Sequence, residues 1–375
     1  SLRGPPKWHP NGRSVPNAPF PLGLNGKFTA GAWNARALCH SSKVIARAKA
    51  LEVRQLCQKC QVLVLLETHG TEEYLRFVLK GVLGSSKNKH SLIFHSGVNK
   101  DGVYRSDAGG IAVLVANSLG ATCQSPPLVF ANGRLGKVTI QANDLSIAIY
   151  PTHNYDISAP QLRRFEESIK KDVAISRETP SSFLVLLLGD FNIEPLDSQR
   201  ISIPNLASPE SVGDLSPEDI APVDATTRRW QGIFDCLTEV CSPSPTHFYS
   251  PQIFLNQIDR IFISAPRSSL CLFKEKAGVF KNPVDLYTRF LSDHAPVYWS
   301  VSVAKSVPQS DQRILPAWCS HPVFVSRFEA LIEAAELPTL SLPDQNTIIK
   351  DNIRDAAKHA RDAIYESEPL VNQSR

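Results

Sequence analysis

Short apolar runs that stop at polar clusters recur along this chain, and that recurrence limits its fold more than any other feature. Phe28–Trp33, Val62–Leu66, Ile111–Ala116, Leu145–Tyr150, Phe183–Leu188 and Val297–Val303 are too short for core helices. They are also too continuously apolar for strands with one wet face, so they read as strands buried on both faces. The clusters that follow or precede them are Asn34-Ala35-Arg36, Glu67-Thr68-His69, Pro151-Thr152-His153-Asn154, Gly189-Asp190-Phe191-Asn192, Gln257-Ile258-Asp259 and Ser292-Asp293-His294. Loops at one sheet edge converge, so these clusters are positioned to build a single pocket.

Composition narrows the function classes. With 375 residues, 42% hydrophobic, the chain buries a large core and is too apolar to be disordered. A net charge of +4, from 40 Lys+Arg against 36 Asp+Glu, gives no strong polyanion-binding footprint, so local arrangement must carry that argument. No apolar stretch reaches the roughly 18 residues a bilayer span needs, and no basic-then-apolar leader opens the chain, so we expect an intracellular protein, not secreted and with no membrane partner. Eight scattered cysteines read as reduced core thiols. Cys57 and Cys60 form one Cys-x-x-Cys, but with no second pair or His doublet helix packing outranks zinc or redox chemistry. The absence of methionine and the initial Ser1 point to a piece of a longer reading frame.

The organisation reads as three parts. Residues 1–26 are an irregular, Pro- and Gly-rich lead-in or linker, residues 27–305 carry the strand grammar, and residues 306–375 hold two helical patterns at about 322–336 and 346–365. A helix is expected over about 42–57 with Val44, Ala48, Leu51 and Leu56 on its inner face. Another buries Leu162, Phe165, Ile169 and Val173 behind a Ser158 cap. Residues 194–230 lack periodicity and read as an extended loop.

Taken alone, the clusters supply carboxylates, amides and imidazoles, with no Ser or Cys nucleophile on an elbow. Oxygen-rich donors of this kind suit magnesium or manganese. Any one Asp or Asn after a strand is as easily a turn former. The adjacent Asp293-His294 and the Gly-Asp-Phe-Asn exit have less structural use.

Trp33-Asn34-Ala35-Arg36, Leu66-Glu67-Thr68, Gly189-Asp190-Phe191-Asn192, Gln257-Ile258-Asp259-Arg260-Ile261 and Ser292-Asp293-His294-Ala295-Pro296 resemble, in order and rough spacing, the motifs of the endonuclease/exonuclease/phosphatase superfamily. The resemblance covers about Lys27 to Lys305. Asn-Ala-Arg, Gln-Ile-Asp-Arg-Ile and the preceding Thr246-His247 are closest to the apurinic-endonuclease-like domain of non-LTR retrotransposons. Ile314-Leu315-Pro316-Ala317-Trp318 and His321-Pro322-Val323-Phe324 resemble the segment before a reverse transcriptase, which would be a downstream partner.

The resemblance implies an α+β fold: a four-layer αββα sandwich of two packed, mostly antiparallel sheets, here with a C-terminal helical segment. It implies Mg2+, or Mn2+, held by Glu67 with Asn34 and Asp293. Asp190 would orient or deprotonate water and Asn192 would hold the phosphate. His294, steered by Asp259, would act as base or stabilise the transition state. Arg36, Asn154 and Asn256 are expected to bind phosphate or substrate. Tyr150-Pro151-Thr152-His153-Asn154 departs from the nuclease Tyr-x-Pro-Asn, so either Tyr150 or His153 faces the phosphate; Tyr150 with Asn154 is the favoured reading. The implied function is magnesium-dependent nicking of DNA, nuclear if the target is genomic. The alternatives are a phosphomonoesterase for inositol phosphates or lipids, to which Thr152-His153 is similar, and a catalytically silent nucleic-acid-binding remnant.

Overall fold

The computed structural model describes residues 27–100, 103–105, 108–180, 182–193, 201–202, 225–240, 244–251, 253–265, 273–303, 319, 321–335 and 342–367. The expected linker over residues 1–26 and the motif at 314–318 lie outside these. Residues 1–303 and 304–375 form two compact units.

In chain order the first unit contains β1 (Lys27–Asn34), α1 (Lys43–Cys57), β2 (Val62–Leu66), α2 (Glu72–Val78), β3 (His90–Ser96), β4 (Val98–Lys100), β5 (Val103–Arg105), β6 (Ile111–Ala116), β7 (Thr122–Cys123) and β8 (Leu128–Ala131). Next come β9 (Leu135–Ala142), β10 (Leu145–His153), α3 (Ala159–Glu178), β11 (Phe183–Asp190), β12 (Ile201–Ser202), α4 (Ala225–Phe234) and β13 (Thr238–Glu239). The unit ends with β14 (His247–Tyr249), β15 (Phe254–Asn256), β16 (Asp259–Ile263), β17 (Phe273–Val279), α5 (Pro283–Thr288) and β18 (Val297–Val303).

One sheet runs β17-β18-β1-β2-β6-β3, and the other β13-β16-β11-β10-β9-β7 with β8 on β9. Both are mostly antiparallel, as expected. Each contains one parallel pair, β1 with β2 and β10 with β11. A parallel pair ends both its strands at the same edge. Asn34 and Leu66 are therefore paired, as are His153 and Asp190. The antiparallel neighbour β16 starts where β11 ends, so Asp259 pairs with Asp190. These registers gather the polar clusters.

The inner faces of the two sheets pack on each other through Val64, Val113, Ile149, Leu186 and Trp299, all 0% exposed. The outer faces carry helices. Trp33, Leu63 and Leu65 meet Val53 and Leu56 of α1 and Leu75 of α2. Tyr150, Val185 and Leu187 meet Phe165 and Ile169 of α3 and Trp230 of α4. Each such fully buried aliphatic side chain contributes about 1.5–3 kcal/mol by leaving water. The result is the four-layer αββα sandwich.

Two local expectations change. Val44 and Leu51 are 79% and 52% exposed, and α1 instead buries Ala46, Lys49, Glu52, Val53 and Leu56. Burial of two charged residues is tolerated because each finds a partner: Lys49 Nζ donates to the carbonyl of Ala35 at 2.7 Å, and Glu52 Oε2 pairs with Lys281 Nζ at 2.6 Å. On α3, by contrast, Leu162, Phe165, Ile169 and Val173 are buried, and Gln161 accepts from the Ser158 N–H at 2.9 Å. Second, α4 begins inside the stretch read as loop; its large apolar residues begin only at Trp230, too late to show a period. Residues 194–200 and 203–224 of that stretch lie outside the described ones. As expected, Cys57 and Cys60 are free thiols at the end of α1, and burial pushes Cys60 up to about 12.

The second unit pairs α6 (Pro322–Ala334) with α7 (Leu342–Ser367). Phe324 packs with Ala356, Ala357 and Ala360, the small residues letting the helices approach. Arg327 Nε meets Asp355 Oδ2 at 3.0 Å.

Candidate active site

The site is where the inter-sheet core becomes polar. Phe28, Ala30 and Ala32 of β1 line that core, and Asn34 is the next residue on the same face. By the same two-residue period, Ile147 and Ile149 lead to His153, and Leu184, Leu186 and Leu188 lead to Asp190. Asp259 starts the stripe of Ile261 and Ile263. Asn34, His153, Asp190 and Asp259 are each 2% exposed. Gly189 makes the close strand approach possible: at φ 147°, a Cβ there would lie 1.9 Å from the Thr152 carbonyl oxygen.

Arg36, Ala37, Glu67, His69 and Asn192 all have positive φ, an uncommon conformation for residues with a Cβ. The cost, about 1–3 kcal/mol each, is offset by ties between the loops. Glu67 carbonyl accepts from the Ala37 N–H at 2.9 Å, and Ser292 Oγ donates to the Asn34 carbonyl at 2.7 Å. Lys49 also donates to the Arg36 carbonyl, and burial lowers its amine to about 8.

At the centre, His294 Nδ1 lies 2.9 Å from Asp259 Oδ2, while its Nε2 faces Asp190 Oδ2 at 3.9 Å and Asp293 Oδ1 at 3.7 Å. Thr246 Oγ1 accepts the main-chain N–H groups of Ile258 and Asp259 at 3.1 and 3.0 Å, fixing the loop that aims Asp259. Asp190 receives Asn34 Nδ2 on Oδ2 and the Asn192 N–H on Oδ1, both at 3.0 Å. Burial opposes charge on His294, but Asp259, Asp190 and Asp293 outweigh it and raise the imidazole to about 10. Burial raises Asp190 to about 6, with His294 acting in the opposite sense. Burial would also raise Asp293; the His247 hydrogen bond and the charges of His294 and Arg36 overcome it and hold the carboxyl at about 2.

A second imidazole behaves oppositely. His153 Nδ1 lies 2.6 Å from Arg134 Nη1, and its Nε2 lies 3.3 Å from Glu67 Oε1. A guanidinium only donates, so Nδ1 accepts and the ring proton sits on Nε2, toward the Glu67 carboxylate. Burial first, then the Arg134 charge, holds His153 well below its ordinary range. His69 Nε2 approaches Glu67 Oε2 at 3.7 Å.

The remaining expected residues are placed as follows. Tyr150 does not enter the site: it sits with Ala148 on the outer face, its Oη donating to Asp172 Oδ2 at 2.8 Å. Strand alternation gives the site position to His153 instead, correcting the favoured reading. Asn154 Nδ2 donates to the Phe191 carbonyl at 2.5 Å, and Asn192 Nδ2 donates to the Asn154 carbonyl at 3.0 Å, so the two amides brace each other's loops. Arg36 pairs with Asp293 while its side chain stays 56% exposed. Asn256 Oδ1 lies 2.8 Å from His247 Nδ1.

Two site neighbours are not marked as site residues by the sequence. Arg134 follows a turn and carries no motif. His247, read only as part of Thr246-His247, packs against His294 with ring centroids 4.4 Å apart and the planes tilted by 39°, and reaches Asp293 Oδ2 at 3.6 Å. Its short strand β14 offers no apolar run to flag it.

The donors fit a divalent cation. Two groups, Asp190/Asp259/His294 and His247/Asp293/His294, each hold their nitrogen and oxygen atoms within 4.8 Å of one another; a protonated His294 has no lone pair for a metal, so the carboxylates are the ligands there. Asp293 Oδ1 is buried without a hydrogen-bond partner among the described residues, a carboxylate oxygen whose desolvation a cation would offset. Glu67 stands outside both groups, its carboxylate 24% exposed beside His153.

Two mostly antiparallel sheets under helices, with acids and imidazoles at one edge, define an αββα sandwich with a polar site at its rim. The family model described as "Endonuclease/Exonuclease/phosphatase family" matches residues 31–294, and this chain belongs to that family. Among solved structures, AP endonuclease LMAP from Leishmania major superposes with TM-score 0.50 at 16% identity, covering 74% of this chain and 88% of that one. The humanized TDP2 of D. rerio gives 0.43 at 13%, covering 73% and 98%. The 3' phosphatase NExo from Neisseria, bound to product DNA hairpin, gives 0.43 at 17%, covering 72% and 98%. No curated protein matches the chain. No helix among the described residues is long and apolar enough to cross a membrane.

Proposed function

We propose that this chain is a divalent-metal-dependent phosphodiesterase that nicks DNA, as the endonuclease of a retrotransposon-type protein. The observation that carries the reading is the buried Asp259–His294–Asp190 arrangement, a charged imidazole fixed on one nitrogen by a carboxylate and aimed by the other at a second carboxylate.

Phosphodiester cleavage needs an activated water, charge neutralisation on nonbridging oxygens and help for the leaving oxygen. Glu67, Asn34 and Asp293 would hold Mg2+, or Mn2+, which when bound neutralises phosphate charge. Asp190, raised toward neutrality by burial, accepts a proton from water more readily than an ordinary Asp. His294, charged at neutral pH, donates to a phosphate oxygen. His153 keeps its Nε2 proton toward Glu67 and so orients that carboxylate. Asn192 and Arg36 bind phosphate at the exposed side, with Asn154 and Asn256 bracing Asn192 and His247.

The DNA substrate and retrotransposon context are supported by Asn34-Ala35-Arg36, Gln257-Ile258-Asp259-Arg260-Ile261 and Thr246-His247. The helices α6 and α7 would lead toward a reverse transcriptase, and a genomic target would place the protein in the nucleus. Incubation with supercoiled plasmid and Mg2+ tests the reading. The wild type converts it to open circles, Glu67→Ala and Asp190→Asn do not, and chelation stops the reaction. Plasmid and single-stranded DNA both left intact by the wild type contradict it.

The presence of His153 at the site, in a Thr152-His153 pair similar to that of phosphatase relatives, favours one second reading, a phosphomonoesterase of inositol phosphates or lipids. Phosphate release from those substrates without plasmid nicking would select it.

A further inference from the structure

Two exposed tyrosines flank the charged centre, each in ring contact with a histidine of the site. Tyr155 is 61% exposed, and its ring lies 6.1 Å from that of His153, near-parallel at 19°. The Arg134 guanidinium sits 4.8 Å from the Tyr155 centroid, holding the ring while leaving much of it open. Tyr249 is 39% exposed, 6.3 Å from the His247 ring and 5.0 Å from Phe254. Phe290, 80% exposed at φ 56°, lies two residues before Ser292.

The tyrosines lie on opposite sides of the centre. His153, Asp190 and Asp259 are paired across three adjacent strands, about 4.8 Å apart. Asp259 leads to His294, and His294 bridges to His247. The sequence of groups is Tyr155, His153, the carboxylates, His294, His247, Tyr249. A phosphodiester at the carboxylates thus has a partly exposed tyrosine beside the histidine on each side.

Resting on the nuclease reading, we infer that Tyr155 and Tyr249 stack on the bases flanking the scissile phosphate, and that the substrate is a nucleic-acid strand whose bases are unpaired there. Within an intact duplex the base faces are covered by their neighbours and only the edges are presented. A tyrosine face therefore needs a single strand, flap or loop. Inositol phosphates have no planar ring for either tyrosine.

A chemical double-mutant cycle tests this. Wild type, Tyr155→Ala, Tyr249→Ala and the matching Phe variants are assayed with Mg2+ on three oligonucleotides: an unpaired strand, its duplex, and the unpaired strand with abasic sites flanking the cleavage position. The wild type should cut the unpaired strand at least tenfold faster than the duplex. Each Ala variant should lose roughly tenfold in kcat/KM on the base-bearing strand, the size of a lost base–aromatic stack. The abasic strand should show no further loss from either substitution, and the Phe variants should keep the wild-type rate. Equal Ala losses on base-bearing and abasic strands, or a duplex cut as fast as the unpaired strand, overturn the stacking inference while leaving the nuclease reading intact. A wild type that cuts no strand at all overturns the nuclease reading, and the inference with it.

Discussion

His294 and His153 are buried imidazoles at one sheet edge, yet their neighbours drive them in opposite directions. Three carboxylates raise His294 to about 10, and burial with the Arg134 guanidinium lowers His153 well below 6.5. Burial alone would make both neutral. Carboxylate partners overturn that outcome for His294, while Arg134 reinforces it for His153, and the pair supplies one cationic donor and one neutral, oriented donor side by side.

The largest effect should come from removing the cation. His294→Ala leaves Asp190 and Asp259 buried without it, so cleavage should fall roughly 10²–10³-fold and the fold should lose about 3–5 kcal/mol. Nicking rates and urea unfolding measure both; a variant within tenfold of wild type would break the comparison. On the neutral side, Arg134→Met removes the donor that fixes the His153 tautomer. The Mg2+ concentration for half-maximal activity should rise roughly 10–100-fold, with the rate recovered at saturating metal. Unchanged metal dependence would separate His153 from Glu67.

Stability against pH sharpens the contrast in the metal-free protein. His294 has a folded pKa above its unfolded value, so its contribution is complete below 6.5 and is lost as pH rises through about 10. His153 has a folded pKa below its unfolded value, so its contribution is present above 6.5 and is lost as pH falls toward the folded value. Melting temperature should fall on both sides of neutrality. His294→Gln should flatten the alkaline limb and His153→Gln the acid limb; the reverse assignment would refute the two charge states. The smallest effect is expected from Tyr150→Phe. It removes a hydrogen bond to Asp172 outside the site, costing about 1 kcal/mol of stability with cleavage within twofold of wild type.

The placement of these residues shows what sequence reasoning can reach. Continuous Leu/Val runs announce buried strands, and a polar residue at the end of an inward stripe has only the edge to occupy. Asn34, Asp190 and Asp259 are legible for that reason. The same period, applied to β10, puts Ile147, Ile149 and His153 on one face and Ala148 with Tyr150 on the other. The preference for Tyr150 rests on resemblance and runs against that alternation. The inner face of α1 escapes the pattern because Lys49 and Glu52 are buried, and their compensation comes from the Ala35 carbonyl and from Lys281, 229 residues away from Glu52. Arg134 is invisible in the sequence because its role depends on a contact across strands rather than on a motif. Local pattern defines the strands and their ends, while partners brought in by topology set the charges.

Nitrogen NMR of the imidazoles, assigned with His294→Gln and His153→Gln, tests the charge assignment at the heart of this account. His294 should stay protonated on both nitrogens well above neutral pH, while His153 should stay neutral with its proton on Nε2 below neutral pH. Two rings that titrate together near the ordinary histidine value would contradict it.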